Sequence, residues 1–263
     1  MQLLYCATRW SFTSKKSVFC AFIDFRKAYD SVNRNILWSC LEQMGIHGNY
    51  LNTLRNMYKQ VRMRVRVGNR ISSAFLAEAG VKQGDNLSPL LFGLFIDQLE
   101  KFFTNKCGEE EGIRIADNIC RVILYADDLA IMSESQSGLQ IMLNCLEEFC
   151  QAYKMEVNIS KSEVVVFNRD LINGRMTYKL QFKGQDLPNK EEFVYLGILL
   201  KGKHGRNGGT HDAGERQRVA ANRATHALWK RCNEMDLANA NILSYLYGTL
   251  IQPSLITGMK CGL

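Results

Sequence analysis

Residues 121 to 133 read RVILYADDLAIMS, two short apolar runs on either side of the adjacent carboxylates Asp127 and Asp128. Strand-forming residues around a polar centre predict a β-hairpin with Ala126, Asp127 and Asp128 at its turn. A third acidic residue sits in similar company upstream. VFCAFIDF at 18 to 25 is an apolar, β-branched and aromatic run that predicts a buried strand, with Asp24 near its end.

Outward from these two segments the elements follow one another closely. RKAYDSVNRNILWSCLEQMG carries Tyr29, Val32, Ile36, Leu37, Leu41 and Met44 at helical spacing, and Gly45 offers a stop. VRMRVRV at 61 to 67 alternates Arg62, Arg64 and Arg66 with Val61, Met63, Val65 and Val67, the pattern of a half-buried strand. Its basic face is either a solvated surface or a contact for phosphates. Gly68 and Asn69 turn the chain toward a second strand near ISSAFLAEAG. In GVKQGDNLSPLLFGLFIDQLEKFF at 80 to 103, Ser88 is placed to cap a helix and Pro89 to occupy its first turn. Leu90, Leu91, Leu94, Phe95, Leu99 and Phe102 give that helix a broad apolar surface. The stretch from the hairpin to Met155 predicts a further helix, and KSEVVVF at 161 to 167 another strand.

Beyond Asn168, TYKLQF and EEFVYLGILL, separated by GQDLP, predict a small antiparallel hairpin. A glycine-rich basic loop, KGKHGRNGGT at 201 to 210, precedes the helical GERQRVAANRATHALWKR and a final helix near 238 to 250. Residues 1–200 therefore form one mixed α/β (α+β) unit and residues 201–263 a smaller helical appendage.

The 263 residues, 46% of them hydrophobic, are enough to fill a core, which excludes a peptide, a stapled miniprotein or a disordered tail. Charged residues make up 22%, and no stretch is long and apolar enough to suggest a membrane span, so no membrane partner is expected. The net charge of +7 is a weak pointer to a polyanionic partner. Nine cysteines without a CxxC pair read as reduced, buried small hydrophobes. MQLLYCATRW lacks the basic start and long apolar run of a secretory signal, so an intracellular location is expected, with nucleus and cytoplasm both open.

Carboxylates at the ends of buried strands are costly, because desolvation and like charges both oppose ionisation. The Asp127–Asp128 pair alone reads more readily as a solvated turn; joined by Asp24 on another apolar strand, it suggests a cation site. Mg²⁺ takes hard carboxylate oxygens and keeps water or substrate phosphate as its other ligands. Two such ions about 3.5 to 4 Å apart activate a 3′-hydroxyl and neutralise a transferring phosphate.

CAFIDFRKAYDSV, GVKQGDNLSPLLF, LYADDLAI, ISKSEVVVF and VYLGILL occur in an order and approximate spacing that resemble the reverse transcriptases of non-LTR (LINE-like) retrotransposons, close also to group II intron enzymes. The resemblance covers about residues 18 to 200 and implies the palm of a right-hand polymerase, an antiparallel sheet with packed helices, followed by a partial helical thumb. It implies an RNA-directed DNA polymerase, a nucleotidyltransferase using an RNA template, a DNA primer and dNTP, with two Mg²⁺ ions for which Mn²⁺ can substitute. Asp24 and Asp127 would then be metal ligands, helped by the Phe25 carbonyl, with Asp128 as their acidic neighbour. Tyr29 would be the steric gate against a 2′-hydroxyl, or else an aromatic packed at a helix start. Gln83 and Gly84 match the loop that meets template and incoming nucleotide, although Asn86 stands where the family usually has Pro, which implies altered rigidity. Lys161 matches a lysine that contacts triphosphate or protonates pyrophosphate; a surface lysine before a strand reads the same way. Tyr195, Leu196 and Gly197 match the primer grip. Arg216, Arg218, Arg223 and Lys230 would line a duplex-binding helix, or simply its solvated face, as would Arg62, Arg64 and Arg66 on their strand.

The family places a fingers region before the first palm motif, and residues 1–17 are too few to form it. A fragment with weak autonomous activity is one expectation. A catalytically inactive, retroelement-derived nucleic-acid-binding or scaffold fragment is the other.

Overall fold

The structure, a computed structural model, describes residues 11, 14, 16–108, 111–115, 118–168, 178–196, 198–202, 211–234, 245–246 and 248–249. The chain divides into two compact units, one of Met1–Cys20, Val165–Thr177 and Asn189–Leu263, the other of Ala21–Val164 and Tyr178–Pro188. All three aspartates singled out in the sequence belong to the second unit.

Six consecutive residues with no polar face, VFCAFI, make β1 (Val18–Ile23), buried along its whole length. Such a run suits a strand covered on both faces. β1 lies between β10 (Glu163–Phe167) and β9 (Asp128–Ser133), and β9 pairs in turn with β8 (Val122–Tyr125). The β8–β9 register sets Tyr125 opposite Asp128 and Val122 opposite Ile131, which leaves Ala126 and Asp127 as a two-residue loop. Asp128 is thus the first residue of β9 rather than part of the turn. Ala126 takes a φ of 54° to close the hairpin, a left-handed conformation rare outside glycine and asparagine.

The expected helix after β1 is broken. α1 (Ala28–Ser31) ends at Val32, and α2 (Arg34–Gln43) starts afresh with Asn33 as its cap, the Asn33 Oδ1 accepting the Ile36 N–H at 3.1 Å. An asparagine at this point satisfies an orphan helix donor, so a new start costs little. Gly45 does follow the end of α2, at φ 86°. α3 (Gly48–Lys59) precedes the arginine-rich segment, which is an arm rather than a half-buried strand. β2 (Arg62–Met63) pairs with β5 (Phe75–Leu76) and β3 (Arg66–Val67) with β4 (Arg70–Ile71). Val61 is buried, but Met63, Val65 and Val67 are exposed along with their arginine neighbours, because no element among the described residues covers this ribbon's apolar side.

α4 (Ser88–Ile96) and α5 (Gln98–Lys106) replace the single helix expected over 88–103. Ser88 caps nothing; it is fully buried, its hydroxyl 3.3 Å from that of Tyr58, and the Leu87 N–H is instead taken by Asp85 Oδ1 at 3.2 Å. Pro89 sits in the first turn as expected, whereas Leu90 faces solvent. β6 (Ile113–Ile115) and β7 (Asn118–Cys120) make a short antiparallel pair. α6 (Gln136–Tyr153), capped by Ser135, packs its buried face of Leu139, Met142, Leu143, Leu146 and Phe149 against α5 and β9. Fully buried Phe22, Phe92, Phe95, Phe103 and Phe149 dominate this unit's core, each contributing about 2 to 3 kcal/mol through removal from water.

TYKLQF folds back on GQDLP, and EEFVYLGILL folds on itself, so two hairpins stand where one was expected. β11 (Gln181–Phe182) pairs with β12 (Gln185–Asp186) in the second unit. In the first unit, β13 (Asn189–Lys190) lies beside β10, and β14 (Glu192–Tyr195) pairs with β15 (Ile198–Lys201). Gly202 follows β15 so closely beneath β10 that an added Cβ would lie 2.5 Å from the Val166 carbonyl oxygen. α7 (His211–Glu234) packs on β15. The loop expected at 201–210 and the helix near 238–250 lie largely outside the described residues. None of the seven described cysteines is in a disulfide. No helix among the described residues is long and apolar enough to cross a membrane.

Candidate active site

Asp24 follows the last residue of β1 and is held from both sides of its backbone. Its N–H donates to Ser162 Oγ at 3.1 Å, and its carbonyl accepts the Asn158 N–H at 2.7 Å. The next two residues continue the attachment, Phe25 through an antiparallel bridge to Val157 and Arg26 through a 2.7 Å bond from its N–H to the Glu156 carbonyl. The Phe25 side chain is buried, which anchors the chain as it leaves the sheet. β1 and β9 are neighbours in the sheet, and Asp24, just after β1, is near enough to Asp128, at the start of β9, for its charge to act there.

Charge confirms the grouping. Partial burial pushes the Asp128 carboxyl above the usual carboxylate range, and the negative charges of Asp127 and Asp24 push it further. Tyr29 belongs to the same group, its phenol raised first by burial and then by Asp127. The ring of Tyr29 stacks on Phe92 of α4, centroids 4.7 Å apart and planes 20° from parallel, which fixes its direction. Packing and proximity to Asp127 thus both hold for this residue.

Gly80 explains how the loop bearing Gln83 and Gly84 is kept near Tyr29. The Gly80 N–H donates to the Val32 carbonyl at 2.9 Å and the Val81 N–H to the Tyr29 carbonyl at 2.8 Å. A Cβ on Gly80 would lie 2.6 Å from the Asp30 carbonyl oxygen, and its φ is 81°. Arg34 reinforces the approach, donating to the carbonyls of Gly80, Tyr58 and Ala79 at 2.9 to 3.0 Å. Gln83 is exposed, and Gly84, at φ 83°, has open space where a side chain would stand. An open glycine lets another backbone or a ligand approach closely.

Lys161 is exposed in the turn between Asn158 and Ser162, whose hydroxyl meets Asp24. Arg62, Arg64 and Arg66 lie on the exposed arm. In the first unit, Tyr195 is buried and Leu196 takes a φ of 48° between β14 and β15; Gly197 lies outside the described residues. Arg216 and Arg218 fall within α7, where only their backbone is described, while Arg223 and Lys230 are exposed. Sequence reasoning missed Ser162, Asn158, Phe92 and Gly80. Only Gly80 carried a signal, a glycine directly before a β-branched residue and the QGD loop.

No three His, Cys, Asp or Glu side chains among the described residues converge closely enough to hold an ion as they stand. The donor set nevertheless has the chemistry Mg²⁺ takes: hard carboxylate oxygens whose mutual repulsion is already felt at Asp128.

The sequence profile of the reverse transcriptase (RNA-dependent DNA polymerase) family matches residues 6–200. The chain is similar to a Drosophila melanogaster retrovirus-related Pol polyprotein from the type-2 retrotransposable element R2DM, 26% identical over 189 residues, 70% of this chain and 18% of that protein. It is also similar to a probable RNA-directed DNA polymerase from transposon BS of the same organism, 28% identical over 197 residues, 72% of this chain and 21% of the relative. The chain thus spans about a fifth of these curated relatives' length. Among solved structures, a truncated apo telomerase from Candida tropicalis shares the fold with a TM-score of 0.53 at 15% identity, over 76% of this chain and 37% of that one.

Proposed function

The chain belongs to the reverse transcriptase family, with relatives among non-LTR retrotransposons, and from that premise we propose that the group of Asp24, Asp127 and Asp128 is the site of an RNA-directed DNA polymerase domain. The observation that carries this reading is the placement of Asp24 directly after β1 and of Asp127 and Asp128 just before and at the start of its sheet neighbour β9, where the charges of Asp127 and Asp24 act on Asp128. Residues 1–200 then act as the palm of a right-hand polymerase and residues 201–263 as part of its thumb.

Asp24 and Asp127 would hold Mg²⁺, two ions in all, with the Phe25 carbonyl and Asp128 beside them. Bound there, Mg²⁺, or Mn²⁺ in its place, would supply activation of the primer 3′-hydroxyl and neutralisation of charge on the transferring phosphate. Tyr29, held flat against Phe92, presents its ring where the sugar of an incoming dNTP would stack and leaves no room for a 2′-hydroxyl. Gln83 and the bare backbone at Gly84 orient the nucleotide against the RNA template. Lys161 donates a proton to the departing pyrophosphate. The DNA primer is held at Tyr195, Leu196 and Gly197, and Arg62, Arg64, Arg66, Arg216, Arg218, Arg223 and Lys230 neutralise duplex phosphates without reading bases.

Extension of a labelled DNA primer on an RNA template tests the reading. Mg²⁺-dependent extension by the wild type, lost in the Asp127→Asn, Asp128→Asn double variant, is the expected result. A second reading is a catalytically inactive nucleic-acid-binding or scaffold domain, favoured by the positive charge that Arg62, Arg64 and Arg66 expose on the arm. Its signature is salt-sensitive duplex binding without incorporation, unchanged in the double variant.

A further inference from the structure

Ser162 is fully buried, and its hydroxyl joins two segments that the proposed chemistry needs. It accepts the Asp24 N–H at 3.1 Å and donates to the Asn158 carbonyl at 2.9 Å. Asn158 returns the connection, its N–H donating to the Asp24 carbonyl at 2.7 Å. The ring of three bonds leaves neither backbone polar group of Asp24 free to turn. The same Asn158 carbonyl also accepts the N–H of Lys161 at 3.1 Å and that of Ser162 at 3.0 Å, so it is the pivot of the turn that presents Lys161. A serine hydroxyl usually bonds to backbone within a few residues of itself. This one also reaches across 138 positions of sequence to the first carboxylate of the site.

We propose that Ser162 is a positioning residue whose hydroxyl locks the backbone of Asp24 to the turn carrying Lys161. The acidic group that serves the attacking end of the reaction and the basic group that serves the leaving end then keep a fixed spacing. Reacting groups must be held within a fraction of an ångström of productive geometry, which a residue pinned at both N–H and carbonyl achieves and a freely rotating one does not. The inference rests on the roles assigned above to Asp24 and Lys161.

The test uses the full chain with Ser162→Ala, and with Ser162→Cys, which fills the same space with a poor hydrogen-bonding atom. Ser133→Ala is the matched control, since Ser133 is an equally buried serine at the far end of β9 that accepts the Ser135 N–H at 3.3 Å. Two quantities are read: hydrogen exchange of the Asp24 amide by NMR, and kcat and KM for addition of one nucleotide. Both Ser162 variants are expected to speed Asp24 exchange about tenfold or more and to lower kcat by about 10- to 100-fold, with KM for dNTP moved less than about twofold. Ser133→Ala is expected to do neither. Unchanged Asp24 exchange in the Ser162 variants, or an equal change in Ser133→Ala, would overturn the proposal. So would failure of both Ser162 variants to fold, which would make the residue a core support only. A folded wild type that extends no primer would overturn the polymerase reading instead, and the exchange data would still decide the role of Ser162.

Discussion

Asp128 is where the physics of this site is most exposed to experiment. Its folded-state pKa is raised, by burial first and then by the charges of Asp127 and Asp24. A carboxyl raised on folding adds stability that is complete below its unfolded pKa and is lost as pH rises through the folded value. Asp128→Asn removes that loss, so the variant is expected to melt above the wild type at neutral pH. The gain should vanish as pH falls below the ordinary carboxylate range, and scanning calorimetry across pH reads it. A gain that persists in acid would mean that repulsion is not its source. The aspartates themselves were legible in the sequence because each sits against an apolar run, where an unpaired carboxylate needs a reason. Ser162 was not legible. A serine before a strand is ordinary, and nothing local reveals that its partner is Asp24.

Elements were legible where hydrophobic pattern and turn chemistry agreed. The β8–β9 hairpin follows from two apolar runs around a polar centre, and α6 lies in the stretch before Met155 that reads as helix. The break between α1 and α2 does not, because Tyr29, Val32, Ile36 and Leu37 keep helical spacing across it, and only the capping bond of Asn33 shows that the chain starts again. Likewise, the alternation at 61–67 presumed a covering element that the arm lacks among the described residues. Gly80 is the joint that lets the Gln83 loop lie against α1. Gly80→Ala must place its Cβ against the Asp30 backbone at a φ of 81°, so a loss of about 1 to 3 kcal/mol or more is expected in chemical denaturation. A loss of a few tenths of a kcal/mol would show that the loop moves away at little cost. Primer extension by the folded variant should fall as well if the loop orients the nucleotide as proposed, because the substitution displaces it.

Across the whole molecule, a net charge of +7 was too weak a signal to name a partner, and it is the family profile over residues 6–200 that shows the family. The exposed arm turns the charge into a measurable quantity. If Arg62, Arg64 and Arg66 each meet a phosphate, replacing all three by Gln should reduce the slope of log affinity against log salt by about one per residue for a primer-template duplex. An unchanged slope would make the arm a solvated ribbon. The claim on which the account depends is that the carboxylates joined at β1 and β9 do cation-dependent chemistry on a primer end. The measurement that meets it most directly is the single-turnover rate of one dNTP addition as Mg²⁺ is titrated, in the wild type and in Asp24→Asn. The account predicts a wild-type rate that saturates with Mg²⁺ and a variant slower by about a thousandfold or more, still folded and still binding duplex. Equal rates in the two proteins, or a wild-type rate indifferent to Mg²⁺, would contradict it.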